Sequence, residues 1–447
     1  MFVFQGARNC YHILNISCYY ITMQPVYSVY SVPKAVAFNK HVSSIPLSIH
    51  GQCVFVFNTS DVCSFTFFNR NASDGVQVYL TTEHFFATRI TNGNKYFSQT
   101  TNAGITDRSG AYYWFSLDSQ NQVFQAGIGE PRLDTCCYKY AFDHSDPLRE
   151  ANKLFLESLV KIELPENVVP LRLLKDPITA PVPLLIKNTS QLTMEDIASN
   201  AFLPHSALSP ASRGLYDCIS GVRFVLNTPD FPDFSEAIEY SIQTPGLWCN
   251  TRLSEKATEF SKIKHPLETY LRITLGQNNG ESPGIPYVME IWPPGHFSPI
   301  HNHGSSAAII RVLHGSIQAE LYPYLCDEPD TVGPFATAIM NTGDITWLSP
   351  SLNQVHKLTN PTSNTQTCIT IQCYSYEGTD TSHYDYFDYI GEHGAKQQYE
   401  PDSDMDFLQF KKTMKEEWDN RFKPAKEPVH NSFTQFVLDC LCCCCVH

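Results

Sequence analysis

The sequence predicts a mainly β protein, with two β-rich modules joined by a partly helical connector. Three observations carry that expectation. Aromatic residues make up 13% of the 447 positions, with 28 Phe and 23 Tyr, side chains that pack well on a pleated sheet. Short runs of Val, Thr and Phe recur between Asn, Asp and Ser turns, the punctuation of an all-β chain. The 29 prolines leave few stretches in which a long helix runs uninterrupted.

Residues 1–30 are apolar and aromatic, but Asn9, Asn15 and Gln24 interrupt them and no lysine-rich start precedes them. They do not read as a secretory leader, and Met23 is an alternative start. Residues 31–145 carry short strands at 53–57, 64–68, 76–80, 111–117 and 123–126, a spacing that predicts a β-sandwich-like domain. This domain shows no catalytic constellation, and Cys136-Cys137 reads as packing. Residues 146–229 read as a connector with short helices. A helical face of Ala151, Phe155 and Leu159 comes first, and an extended Pro- and Leu-rich run follows over 164–190. Residues 230–400 form the second module. It opens on a helix that starts near Ser235 and ends at Pro245-Gly246. It then turns to strands, clearest at 288–292, 307–313, 316–322 and 369–374. Residues 401–447 hold a polar helix over 403–422 and a Cys-rich tail.

Composition excludes some functions. Net charge is −14 and no Lys/Arg cluster stands out, so the basic face that nucleic-acid binding requires is missing. Of 16 cysteines, five lie in the last eight residues, at Cys440 and Cys442 to Cys445. The others show neither a disulfide framework nor a C-x-x-C zinc half-site, as expected of reduced thiols in a cytoplasmic protein. The sequons at Asn58, Asn71 and Asn188 then go unused. The tail is too short to span a bilayer, but cysteines clustered on an apolar segment fit S-acylation, hence membrane association. An unmodified tail is the alternative.

The chemistry concentrates in the second module. His301 and His303 stand two apart, so in a strand both imidazoles face one side, as a metal requires. Gly315 follows at a hairpin turn, and Gly343-Asp344-Ile345-Thr346-Trp347 leads on to His356, four residues before Asn360. The order G…H-x-H…G, then G…H-x-x-x-N, is that of the two cupin motifs, and it predicts a three-histidine metal site in a jelly-roll barrel. Cupins typically place a Glu just beyond the H-x-H pair. Here Gly304-Ser305-Ser306-Ala307-Ala308 offers no acid. Three neutral imidazoles leave the whole charge of a dication on the metal, which suits an anionic, chelating ligand such as a thiolate.

The string Trp292-x-x-Gly295-His296-x-Ser298-x-Ile300-His301-x-His303 resembles the cysteine dioxygenase (thiol dioxygenase) family of cupins, whose motif stands complete here. Tyr270-Leu271-Arg272 resembles the family's Tyr-x-Arg, and Tyr374-Ser375 its active-site Tyr-Ser. The resemblance covers residues 230–400. It departs in three places. Ala308 stands where the animal enzymes carry a Cys cross-linked to the active-site Tyr; bacterial members lack that Cys too. Gln372 replaces the His two residues before that Tyr. Asn353-Gln354-Val355 replaces the usual Gly before the third His.

The resemblance implies a non-haem iron enzyme in cysteine catabolism, on the route to taurine. His301, His303 and His356 would bind Fe(2+), and a small thiol with O2 would yield a sulfinic acid. Arg272 would clamp the substrate carboxylate, Tyr374 would hydrogen-bond the bound oxygen or that carboxylate, and Tyr270 would support the same pocket. L-cysteine is then the expected substrate. The alternatives are another carboxylate-bearing thiol such as 3-mercaptopropionate, or a cupin without turnover. His296 reads as structural, His314 as solvent-facing in a turn and Asn360 as a turn former. The sequence does not fix the oligomeric state.

Overall fold

The computed structural model describes residues 24–25, 36–37, 40, 42–92, 94–100, 104, 112–145, 147–175, 178, 181–260, 262–275, 287–304, 306–325, 333–350, 352–375, 387–391 and 394–422. The expectations for residues 1–23, for Ser305 and for the Cys-rich tail lie outside these. Among the described residues no helix is long and apolar enough to cross a membrane.

The first domain is a sandwich of two six-stranded antiparallel sheets. One runs in the order Cys136–Ala141, Val123–Ile128, Tyr113–Asp118, Gln52–Asn58, Val169–Leu174, Val36–Ala37. The other runs Ser44–Pro46, Leu159–Glu163, Cys63–Asn69, Gly75–Leu80, Phe85–Thr91, Asn94–Thr100. Alternation along each strand drives the facing. Phe55 and Phe57 from one sheet and Phe65 and Phe67 from the other are fully buried, with the Phe57 and Phe65 rings 4.5 Å apart. Burying each such ring contributes about 1.5–3 kcal/mol.

The stretch expected to be a connector is divided between its neighbours. A helix over Leu148–Glu157 buries Asn152, Phe155 and Leu156, while Ala151 stays exposed and Leu159 opens a strand. Leu159–Glu163 and Val169–Leu174 complete the two sandwich sheets. These strands pair with partners about a hundred residues earlier, which no local pattern announces. Later segments of the same stretch join the barrel. Val54, Trp114 and Leu174 of the sandwich share one apolar cluster with Ile186 and Trp347 of the barrel, so the domains are packed together.

The barrel strands are β1 (Leu185–Lys187), β2 (Phe202–Pro204), β3 (Leu271–Leu275), β4 (Tyr287–Trp292), β5 (Ala307–His314), β6 (Ser316–Leu321), β7 (Ala336–Asn341), β8 (Ile345–Leu348), β9 (His356–Thr359), β10 (Cys368–Ser375), β11 (Phe387–Ile390) and β12 (Lys396–Tyr399). The larger sheet runs β2-β1-β8-β5-β10-β4-β3 and ends on a short strand at Met405–Asp406. The smaller runs β7-β6-β9, and single bridges from His301 to His356 and to Tyr389 tie the β11-β12 hairpin to it. Two facing sheets of this kind, antiparallel except where β1 pairs with β2 and β3 with Met405–Asp406, make the second domain a cupin jelly roll.

The two faces of the larger sheet differ in chemistry. Leu271, Ile273, Met289, Ile291, Ile369 and Ile371 point outward into a cluster with Leu215, Phe234, Ile238, Phe410 and Met414, carried by the helices Pro210–Ile219, Phe234–Gln243 and Phe407–Asn420. The alternate residues Tyr270 and Trp292 face the smaller sheet, clustering with Ile317, Met340 and Leu358. By the two-residue period, Arg272 and Glu290 share that inner face. Gly315 turns β5 into β6 at φ +71°, where a Cβ would lie 2.7 Å from the Thr367 carbonyl oxygen.

Candidate metal centre

His301 and His356 are direct cross-strand neighbours. Each backbone N–H donates to the other residue's carbonyl, at 3.0 Å in both directions. Residues so paired project their side chains to one face, and His303, two positions on, joins them. The ring centroids lie 4.7 Å apart for His301 and His356, 4.8 Å for His301 and His303, and 4.8 Å for His303 and His356. One ligating nitrogen from each falls within 4.8 Å of the others, a group among the described residues that could hold a metal ion. His303 Nε2 and His356 Nε2 stand 3.2 Å apart, close enough to share one proton or one ion.

The second ring nitrogens set the tautomers. His301 Nδ1 contacts the Pro299 carbonyl at 3.0 Å and His356 Nδ1 the Asn353 carbonyl at 3.3 Å, so both Nδ1 atoms donate and the Nε2 lone pairs turn inward. Burial lowers the pKa of His301 to about 4, with the nearby Arg272 charge adding to it, and that of His356 to about 3, with His301 adding to it. His303 is also pushed well below its ordinary value, first by burial and then by the other two rings. All three rings are therefore neutral near pH 7, the form that ligates. Three converging neutral Nε2 donors fit a divalent transition ion.

Next to this trio runs a hydrogen-bonded ladder across the inner face. Arg272 and Glu290 stand directly opposite each other on β3 and β4. Arg272 Nη1 reaches Glu290 Oε1 at 3.3 Å. Gln372 Nε2 donates to Glu290 Oε2, and the Tyr374 hydroxyl donates to Gln372 Oε1. Because a carboxylate only accepts, the Gln372 amide turns its NH2 to Glu290 and its carbonyl to Tyr374. The Tyr374 ring then stacks on His303, centroids 5.6 Å apart and planes 19° apart. Glu290 is 4% exposed, and burial raises its carboxyl, opposed chiefly by Arg272.

Two of the residues expected to meet substrate have partners within the chain. The Arg272 guanidinium, expected to wait for a substrate carboxylate, already faces an internal one. The Tyr374 proton, expected to reach a bound ligand, is given to Gln372. Tyr270 is buried and stacks on Trp292 with centroids 4.1 Å apart, near the Arg272–Glu290 pair. His296 bonds the Thr269 carbonyl at 2.9 Å, a structural contact. His314 ends β5 and is partly buried. Asn360 is fully buried and donates to the carbonyls of Trp292 and Gln366, fixing the turn after β9.

Glu290 went unnoticed in the sequence, although its signal was there: an acid in the middle of the apolar run Val288-Met289-Glu290-Ile291-Trp292 needs a buried partner. A second group had no local signal. Arg132 of the first domain is fully buried, pairs with Glu130 at 2.6 Å and donates to the Asn353 side chain, in the loop that leads into His356.

No family model matches the sequence. Among solved structures, L-ribose isomerase of Cellulomonas parahominis is similar over 25% of this chain and 60% of its own, at 13% identity and a TM-score of 0.21. An oxalate oxidase in complex with the substrate analogue glycolate matches over 25% of this chain and 54% of its own, at 11% identity and a TM-score of 0.20. A cupin 2 domain-containing protein from Halorhodospira halophila matches over 36% of this chain and 86% of its own, at 12% identity and a TM-score of 0.20. The chain thus spans little more than half the length of the first two. At these values the fold rests on the strand pairing above, and the chemistry on the side chains of this chain.

Proposed function

We propose that the second domain is a non-haem iron thiol dioxygenase that converts a small thiol and O2 to the sulfinic acid. The observation that carries this reading is the inward convergence of three neutral imidazoles, His301, His303 and His356, with no carboxylate among the described residues of the group. Such a set would hold Fe(2+) and leave its dipositive charge to an incoming thiolate. When bound, the ion supplies Lewis acidity toward the thiol and one-electron reactivity toward O2.

The overall change balances without a further reductant: RSH and O2 give RSO2H. The S–H and O–O bonds break, two S–O bonds form, the thiol proton ends on a sulfinate oxygen, and sulfur loses the four electrons that O2 gains. The chain's residues would do the positioning. The Nδ1 contacts to Pro299 and Asn353 hold the His301 and His356 rings, and Tyr374 walls the site beside His303. Phe387, with its ring 5.0 Å from that of His301, would keep one side apolar.

The test is oxygen uptake by iron-loaded protein with a panel of thiols, and mass spectrometry of the product. The expected result is one sulfinate per O2 consumed, with both oxygen atoms derived from O2. Uptake with no thiol above that of a His356→Ala control would sink the reading.

A further inference from the structure

We propose that Glu290 sets the substrate class of this site, making it select a small thiol without a free carboxylate, an aminothiol rather than a mercapto acid. The inference deepens the thiol reading above and rests on it. Three features of the inner face support it.

The first is charge. Arg272 is the cation expected to receive a substrate carboxylate, and Glu290 stands 3.3 Å from it. The two occupy directly opposite positions on paired strands, so the register keeps their side chains neighbours on the inner face. A mercapto acid would bring a second carboxylate to one guanidinium, and like charges at a buried site repel.

The second is donor supply. A carboxylate needs N–H or O–H donors. The Gln372 amide points its NH2 at Glu290, and through it the Tyr374 hydroxyl proton is spent on Gln372. What Tyr374 has left is a lone pair, which accepts from an amine and offers nothing to a carboxylate.

The third is burial. Glu290 and Gln372 are 4% and 2% exposed, so water does not screen the arrangement or readily rearrange it. Glu290 thus acts as a specificity-determining residue through Arg272 and Gln372.

The experiment uses the full chain loaded with Co(II), whose thiolate absorption band reports thiol binding independently of oxygen chemistry. The matched probes are 2-aminoethanethiol and 3-mercaptopropionate, alike except for the terminal ammonium or carboxylate. The native chain is expected to bind the aminothiol at least about tenfold more tightly. Glu290→Gln keeps the volume and removes the charge; it should move that ratio toward the mercapto acid by about tenfold with cobalt content unchanged. Equal or tighter binding of 3-mercaptopropionate by the native chain overturns the proposal, as does an unmoved ratio in a cobalt-replete Glu290→Gln protein. The native comparison stands even if the variant misfolds. If the aminothiol preference holds and the iron-loaded chain consumes no oxygen, the dioxygenase reading fails and the selectivity remains. If oxygen is consumed best with 3-mercaptopropionate, the reverse is true.

Discussion

Glu130 of the β-sandwich accepts the backbone N–H of Asn353, at 3.1 Å, in the loop that presents the third histidine of the barrel. Its other carboxylate oxygen accepts the N–H of Gln354 at 2.8 Å. Asn353 sits at φ +65°, and its carbonyl contacts His356 Nδ1. The first domain therefore holds the backbone from which a candidate metal ligand is oriented. This gives it a physical task that its sequence did not suggest.

Replacing Glu130 by Ala should take from the buried Arg132 guanidinium the carboxylate it pairs with at 2.6 Å and release two loop amides. The expected cost is about 3 kcal/mol of stability, the scale for breaking a buried pair. Metal affinity should fall with it, because the His356 ring loses its support. Thermal unfolding and a metal titration check this. Unchanged metal affinity would reduce Glu130 to a strut between domains.

His356→Ala should abolish iron binding and oxygen uptake together, while native protein binds close to one iron per chain. Two remaining imidazoles form a much poorer site than three. Adding a chelator to the loaded native protein should lower its Tm, since an ion bound only to the folded state stabilises it. Metal analysis and calorimetry are the measurements.

Acid should destabilise the metal-free protein through the same trio. The ordinary histidine value is 6.5, and in the fold His301 falls to about 4 and His356 to about 3. The unfolded chain takes up these protons first. Their contribution is therefore intact above about pH 6.5 and is lost as the pH falls toward the folded values. The Tm of metal-free protein should drop between pH 7 and pH 5, and less steeply in His356→Ala. A flat profile over that window would contradict the burial of these rings.

Gly315→Ala should destabilise the barrel without touching the site chemistry. The position has φ +71°, and an added Cβ would meet the Thr367 carbonyl oxygen at 2.7 Å. The expected loss is about 1–3 kcal/mol, the cost of forcing a side chain into this backbone region. Denaturant unfolding measures it. Metal content per folded chain should not change.

Much of this architecture was legible in the sequence because it is local. The strands expected at 288–292 and 369–374 are found at Tyr287–Trp292 and Cys368–Ser375, since alternation and turn residues act over a few positions. The helix expected over 403–422 is Phe407–Asn420, capped by Asp406, whose side chain accepts the N–H groups of Leu408 and Gln409. The stretch read as a connector was misjudged because its strands gain stability only from sheets assembled elsewhere in the chain. A Pro- and Leu-rich run shows no such partner.

The site divides in the same way. The sequence by itself determined that His301 and His303 share a face, because a strand repeats every two residues, and that Glu290 lies inside an apolar strand. Only the tertiary structure decided that His356 stands opposite His301, that Arg272 meets Glu290 rather than open space, and that a carboxylate from the other domain steadies the third histidine. Each of these depends on strand register or domain packing. Register and packing are set by the summed burial of many side chains, and no short motif encodes them.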